Sequence, residues 1–194
     1  SEKSLPDASF TRFVDGSSFL HQGHRQAGYA IVSPTHTIEA NLVPLGTTSQ
    51  KAELIALTRA LHLAKDMVIN IYTDSKYAFL VLHAHGAIWK ERGLLNTKNS
   101  PIKYGAEILA LLNSVLLPKQ VAVVHCRGHQ KDLSLESKGN NFADREAKRE
   151  AKQSTLLSLL PTPPALGLIS PTYTTQEITL AQEKQYTQEQ NSLG

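Results

Sequence analysis

The sequence predicts an α/β fold with a mixed five-stranded sheet and helices on both faces, for three reasons. Three strand-like segments follow one another with short connections near the beginning of the chain, which is typical of an antiparallel meander. The pattern then changes to apolar residues three and four positions apart, as in an amphipathic helix. Beyond that helix, strand-like and helical segments alternate. This order indicates parallel pairing and places ligands at the carboxyl ends of the strands.

The meander begins with a strand predicted from Phe10 to Asp15, where β-branched and aromatic residues are frequent. Gly16-Ser17-Ser18 is expected to end this strand. A polar loop is predicted over 20–26, with further strands over 27–33 and 37–45. Asp15 then stands at the end of a core strand, where a carboxylate is costly unless a cation pairs with it. A turn aspartate is the alternative interpretation.

The first helix is predicted over 47–65, with Leu54, Leu57 and Leu61 on its apolar side. Glu53 shares the side that packs on the sheet, and a favourable interaction with the helix dipole is the alternative reason for an acid there. The later elements are a strand over 68–73 that ends at Asp74, helices over 75–85, 84–92 and 102–116, a strand over 121–125 and a helix over 140–152. The helix over 84–92 is short and basic.

Composition favours one domain with an appendage. The chain has 194 residues, is 41% apolar and contains no apolar run of membrane-spanning length, so no membrane partner is expected. The single cysteine, Cys126, excludes an internal disulfide and suits a reducing compartment. Prolines at 161, 163, 164 and 171 predict a linker, so the domain is expected over 1–153 and the appendage over 154–194.

The net charge of +3 is unevenly distributed along the chain. Residues from Ser154 onward contribute −2, because Lys184 stands against three glutamates, so residues 1–153 carry +5. An excess of this size would help the domain to bind a polyanion. A solvated basic face explains it equally well.

Four acidic segments and one histidine-containing loop follow one another along the chain. The acidic segments are F-V-D-G-S at 13–17, Q-K-A-E-L at 50–54, Y-T-D-S at 72–75 and G-N-N-F-A-D at 139–144, and the loop is H-C-R-G-H-Q-K at 125–131. Together they resemble the ribonuclease H family over roughly residues 10–152, in the form found in gammaretroviral reverse transcriptases. The later segment Y-T-T-Q-E-I at 173–178 resembles the opening of a gammaretroviral integrase.

The resemblance implies hydrolysis of the RNA strand of RNA·DNA hybrids during reverse transcription, with two Mg²⁺ ions and with Mn²⁺ able to substitute. Asp15 is expected between the two metals, Glu53 and Asp74 at one, and Asp144 at the other. Carboxylate oxygens suit Mg²⁺, and two such ions serve both the attacking water and the leaving oxygen. His129 is implied as an accessory in proton transfer or product departure, against the alternative of a solvated loop histidine.

Contacts to the hybrid are implied beside the acids. The residues concerned are Gly16, Ser17, Gln50, Thr48 and Tyr104. The first three match positions that contact 2′-hydroxyl groups, which distinguish RNA from DNA. Thr48 and Tyr104 stand at a pocket for a DNA phosphate, where Gly46 replaces an Arg or another polar residue and Tyr104 replaces an Asn of the family pattern. Together with Glu91, these departures predict weaker binding of the DNA strand than in cellular ribonucleases H.

The short basic helix resembles the protrusion that grips the DNA strand in this family. Its matching residues are Trp89, Lys90 and Arg92, although Glu91 interrupts the basic run. An exposed ring can stack on a sugar or base while neighbouring cations hold phosphates. Core packing between helices is the alternative role of Trp89.

Several competing functions use the same fold or the same partners. They are an integrase, transposase or Holliday-junction nuclease, a catalytically weak or inactive hybrid-binding domain, and a structural domain docked on a polymerase. The four intact acids and the histidine loop disfavour all of them. The expected partners are the hybrid and the polymerase and connection domains of the same polyprotein. The domain itself is expected to be monomeric and to act in the virion and the host-cell cytoplasm.

Overall fold

A computed structural model describes residues 1–159, with side chains through Gln153. Five strands form one sheet in the order β3-β2-β1-β4-β5. They are β1 (Phe10–His21), β2 (His24–Val32), β3 (Thr37–Val43), β4 (Val68–Thr73) and β5 (Gln120–His125). The β1–β2 and β2–β3 pairs are antiparallel, whereas β1–β4 and β4–β5 are parallel. The predicted mixed sheet is therefore confirmed.

Helices cover both faces of this sheet, as predicted. They are α1 (Ser49–Leu63), α2 (Lys76–Leu80), α3 (Gly86–Glu91), α4 (Gly105–Ser114) and α5 (Leu135–Leu159). Adjacent residues of β1 point to opposite faces, as the pleat of a strand requires. Val14 belongs to the larger apolar cluster with Leu54 and Leu57 of α1. Phe13 belongs to a second cluster with Ala143 of α5.

The first strand is longer than predicted. Gly16-Ser17-Ser18 does not end it, because β2 offers partners along the whole segment from Phe13 to His21. The predicted polar loop over 20–26 is likewise wrong. Gln22 and Gly23 alone turn the chain, with φ angles of 49° and 76°, and two residues of positive φ match the twist of a two-residue hairpin. Asp15 consequently lies inside β1, one residue beyond the end of its pairing with β4.

The helices predicted over 75–85 and 84–92 form one helical run. A π-helical turn, Val81–His85, joins α2 to α3. In this turn the Gly86 N–H donates to the Val81 oxygen, and a Cβ at Gly86 would lie 2.5 Å from that oxygen. A glycine is therefore required where the wider turn closes. The helix predicted from Ile102 begins only at Gly105.

The last helix extends beyond the prediction at both ends, since α5 runs from Leu135 to Leu159. It packs closely on β2, where a Cβ at Gly28 would lie 2.6 Å from the Ala151 nitrogen. Residues 1–159 form one compact unit. The appendage predicted over 154–194 lies almost wholly outside the described residues. None of the described helices has the length and apolarity needed to cross a membrane.

Candidate active site

Three carboxyl groups converge where the parallel pairing of the central strands ends. Asp15 comes from β1, Glu53 from α1, and Asp74 directly follows β4. One oxygen of each lies within 4.8 Å of the others. The sequence interpretation expected these three acids at one end of the sheet, and the structure brings them together there.

Gly16 makes this convergence possible by letting β1 approach α1 closely. A Cβ at Gly16 would lie 2.4 Å from the carbonyl carbon of Ala52 and 2.5 Å from the Glu53 nitrogen. Both neighbours are backbone atoms, so no side-chain movement could relieve the clash. The glycine after Asp15 thus has a packing role, whether or not it also contacts a substrate as predicted.

Two members of the acid cluster, Asp15 and Glu53, are desolvated, which disfavours their charged forms. Asp15 is only 4% exposed. Burial, followed by the nearby charge of Asp74, raises the pKa of Asp15 from 3.8 to about 8. Burial and the charge of Asp15 also raise the pKa of Glu53 well above its ordinary value, although a hydrogen bond from the Gly16 backbone partly offsets the shift. Without a cation, these carboxyls therefore favour their protonated forms.

The donor set fits a hard divalent cation. All three residues offer carboxylate oxygens, which are the ligands that Mg²⁺, Mn²⁺ and Ca²⁺ prefer. The Glu53 Oε2 atom is buried and, among the described residues, has no hydrogen-bond partner. A buried oxygen without a partner is costly unless something else satisfies it. A cation among these oxygens would remove that cost and the mutual repulsion together.

The fourth predicted acid, Asp144, lies beside this cluster on α5. Its charge contributes to the raised pKa of Asp15. However, its Oδ2 accepts a hydrogen bond of 2.8 Å from Lys148 Nζ, one helical turn further along. The structure therefore places Asp144 next to the three acids but pairs it with a lysine.

The loop between β5 and α5 approaches the cluster through its backbone. A Cβ at Gly128 would lie 2.7 Å from Asp74 Oδ2, so glycine permits the close approach. The next residue, His129, is exposed and has a φ of 55°. Among the contacts of the described residues, none joins its imidazole to an acid. The structure thus brings the loop, but not the imidazole itself, to the acids.

Asn140 is a site residue that the sequence interpretation missed. Its Nδ2 donates to Asp74 Oδ2 at 3.2 Å, and the residue is 1% exposed. Asn140 and Asp144 are four residues apart in a helix, so they share one face. That spacing was the signal available in the sequence.

Several predicted substrate-binding residues line one cleft of about 470 Å³. Gln50, Trp89 and Tyr104 belong to its wall, together with Tyr77, Asn96, Pro101, Ile102 and Lys103, which the sequence interpretation did not select. The Thr48 hydroxyl is hydrogen bonded to the Tyr104 hydroxyl, which links the start of α1 to this wall. Lys103 Nζ lies 5.0 Å from the centre of the Tyr104 ring, a cation–π distance.

Trp89 is half-buried, so it packs in the core, as one of the two interpretations expected, while its stacking on nucleic acid stays a prediction. Its ring packs against the main apolar cluster and also lines the cleft. It stacks on the exposed His85, with ring centres 5.4 Å apart. The Lys90 amine donates to Asn113 Oδ1 at 3.3 Å, and Arg92 is exposed at the end of α3.

Comparison with known proteins gives one family. The RNase H family model matches residues 7–152. The Pol polyprotein of radiation murine leukemia virus (strain Kaplan) is 49% identical over 150 residues, covering 77% of this chain and 26% of that protein. The Gag-Pol polyprotein of baboon endogenous virus (strain M7) is 48% identical over 178 residues, covering 91% of this chain and 10% of that protein. The chain thus spans about a quarter or less of these curated relatives.

Solved structures with a similar fold include two from foamy virus. The solution structure of the PFV RNase H domain has a TM-score of 0.63 and 25% identity, covering 75% of this chain and 96% of that one. The foamy viral protease-reverse transcriptase in complex with RNA/DNA hybrid has a TM-score of 0.63 and 22% identity, covering 79% of this chain and 21% of that one. At 22% identity, the likeness to the protease-reverse transcriptase shows a shared fold alone.

Proposed function

The chain belongs to the RNase H family, and we propose that it hydrolyses the RNA strand of RNA·DNA hybrids during reverse transcription. Family membership follows from the match over residues 7–152 and from identities near 50% with retroviral Pol proteins. The resemblance predicted from the four acidic segments is thereby confirmed. The cofactor of the proposed reaction is a pair of Mg²⁺ ions, for which Mn²⁺ can substitute.

The observation that carries this proposal is the convergence of Asp15, Glu53 and Asp74 within 4.8 Å. Bound divalent cations supply Lewis acidity, which activates an attacking water and stabilises the leaving 3′-oxygen. Asp15, Glu53 and Asp74 would hold the ions from the sheet side and Asp144 from α5. Asp144 already points its Oδ2 to a cation, the Lys148 amine.

Neighbouring residues position Asp74 before any ligand arrives. Asn140 fixes one oxygen of Asp74 by a hydrogen bond, and Gly128 leaves room for the same oxygen, since a Cβ there would lie 2.7 Å from it. Fixed orientation matters because a catalytic group gains from being positioned in advance. His129 is proposed to receive or release a proton, or to ease product departure, from the loop above Asp74.

The cleft lined by Gln50, Trp89 and Tyr104 is proposed to bind the hybrid next to the acids. Aromatic side chains stack on sugars or bases without regard to sequence, which suits an enzyme that must act along a whole hybrid. The Lys103 amine in the cleft wall, with Lys90 and Arg92 on the protrusion, would hold DNA phosphates. Gly16 and Ser17 lie next to Asp15, where the RNA 2′-hydroxyls are expected.

The proposed setting is a larger retroviral polyprotein. The two curated relatives are Pol and Gag-Pol polyproteins, and the foamy viral protein in complex with RNA/DNA hybrid is a protease-reverse transcriptase. We therefore propose that this domain, monomeric by itself, works beside polymerase and connection domains, in the virion and the host-cell cytoplasm. Residues from about 170 are proposed to begin an integrase region.

A panel of labelled duplexes tests the proposal. RNA·DNA, RNA·RNA and DNA·DNA duplexes of one sequence are incubated with the chain and Mg²⁺ or Mn²⁺. Only the RNA strand of the hybrid should be shortened, because discrimination depends on 2′-hydroxyls of one strand in a hybrid helix. Cleavage of another duplex would contradict the substrate assignment. Tight hybrid binding without cleavage would instead support the inactive binding domain considered above.

A further inference from the structure

A second asparagine, next to the one that holds Asp74, reaches the histidine loop. Asn141 Nδ2 donates to the Gln130 carbonyl oxygen at 2.8 Å. The Gln130 side chain turns back in its own loop, and its Nε2 donates to the Gly128 oxygen at 3.1 Å. These two hydrogen bonds attach the backbone on both sides of His129.

The backbone at His129 needs such support. Its φ of 55° lies in the left-handed region, which a residue with a Cβ adopts at a cost of about 1 kcal/mol or more. Because His129 is exposed, burial does not hold it in this conformation. A strained residue persists where its surroundings fix it. The flanking hydrogen bonds from Gln130 and Asn141 do so here.

The same turn of α5 therefore sets two parts of the site. Asn140 holds Asp74, and Asn141 holds the loop that carries His129. The loop in turn approaches Asp74 at Gly128, where a Cβ would lie 2.7 Å from Asp74 Oδ2. Since α5 packs on the sheet, its two consecutive asparagines connect both the loop and Asp74 to one element.

We propose that Asn141 is a positioning residue, which acts on the proposed hydrolysis through His129 by anchoring the loop. The inference rests on the proposed function, since it assigns Asn141 a part in that reaction. Among the interactions of the described residues, Asn141 has no hydrogen bond or ion pair with the acids, and it does not line the cleft. Its removal should slow the chemical step and leave hybrid affinity unchanged.

Single-turnover cleavage of a hybrid at saturating protein tests this role. Asn141→Ala removes the donor, and Asn141→Asp keeps the shape of the side chain without the N–H group. Each should lower the rate about fivefold, the change expected from losing one ordinary hydrogen bond. The hybrid Kd should stay the same. Asn41→Ala is the matched control, because Asn41 lies on β3 and its amide donates a hydrogen bond of 3.3 Å to the Tyr29 hydroxyl on β2. This variant should leave the rate unchanged.

The effect must depend on His129. In a His129→Ala background, Asn141→Ala should cause no further loss, since coupled residues are not additive. An equal loss in both backgrounds, a changed Kd with an unchanged rate, or full activity of His129→Ala would each overturn the proposal. A wild type that cuts no hybrid would instead refute the proposed function.

Backbone ¹⁵N relaxation tests the anchor itself, without substrate or metal. Order parameters at 128–130 should be near those of rigid backbone, about 0.85, in the wild type and should fall toward about 0.6 in Asn141→Ala. Asn41→Ala should not change them. Unchanged order parameters in Asn141→Ala would show that another contact holds the loop, and the proposal would be wrong.

Discussion

Asp15 and Glu53 show how residue placement prepares a site for metal. Both are acids whose pKa values are raised, chiefly by burial. A buried carboxyl group does not stabilise the metal-free domain, because desolvation opposes its charged form and the group must be protonated. A cation reverses this relation, since it binds the deprotonated form. Within the described part of the chain the Glu53 Oε2 atom has no hydrogen-bond partner, which indicates the same requirement.

These shifts predict how the stability of the metal-free domain changes with pH. The folded state keeps a proton on Asp15 up to about pH 8, whereas the unfolded state releases it near its ordinary pKa of 3.8. The folded state thus binds more protons in this window, so its stability falls as pH rises. Thermal melts in EDTA should show Tm dropping by a few degrees between weakly acidic pH and pH 9.

Two variants and the addition of Mg²⁺ complete this test. Asp15→Asn should flatten the decline, whereas Asp7→Asn, which changes an exposed carboxyl outside the cluster, should preserve it. Mg²⁺ should raise Tm most at the alkaline end, where the ligands are deprotonated. A Tm that rises with pH in EDTA, or an Asp15→Asn slope equal to that of the wild type, would contradict the assigned pKa shifts.

The α2–α3 run illustrates how one element can contribute both to the core and to the wall of a cleft. The π-helical turn carries the chain from α2, which contributes Tyr77 to the cleft, to α3, which contributes Trp89. Only the exposed side of Trp89 remains for a ligand, because its other side packs on the main cluster. The protrusion therefore presents a ring that is already fixed by packing.

Trp89→Ala should weaken hybrid binding by about 1–3 kcal/mol, as expected for the loss of a stacking contact. Ile88→Ala is the control, because Ile88 lies on the same helix, is 47% exposed and does not line the cleft. Equilibrium binding, corrected for the folded fraction from circular dichroism, gives the comparison. Unfolding of Trp89→Ala with unchanged affinity per folded molecule would assign the residue to packing alone.

The sequence predicted the type and order of the helices and strands better than the residues at which they begin and end. Period and order gave the mixed sheet, but pairing with β2 overrode the local effect of Gly16-Ser17-Ser18. The acids were found through motifs, and their nearness depends on four elements that meet only in the folded chain. Asn141 could not be found in this way, since its hydrogen bond joins a helix to an irregular loop. The spacing of apolar residues in the sequence does not indicate such a contact.

At the scale of the molecule, residues 1–159 form one unit, and the family match ends at residue 152. The prolines from 161 to 171 predict that the following residues add no core. A chain ended after Leu159 should therefore melt within a few degrees of the full chain and cleave hybrid equally well. Calorimetry and the cleavage assay check this. A larger drop would mean that the appendage docks on the domain.

Asp74→Asn tests most directly whether these carboxylates form a metal site for hydrolysis. The substitution keeps the size of the side chain and removes a charge that helps to raise the pKa values of Asp15 and Glu53. At neutral pH the metal-free variant should therefore melt at a higher temperature than the wild type. Mg²⁺ should stabilise the wild type by mass action and the variant much less. The variant should bind hybrid but leave its RNA strand uncut, whereas the wild type cuts it. A variant that is less stable without metal, responds to Mg²⁺ like the wild type and still cuts RNA would contradict the metal site.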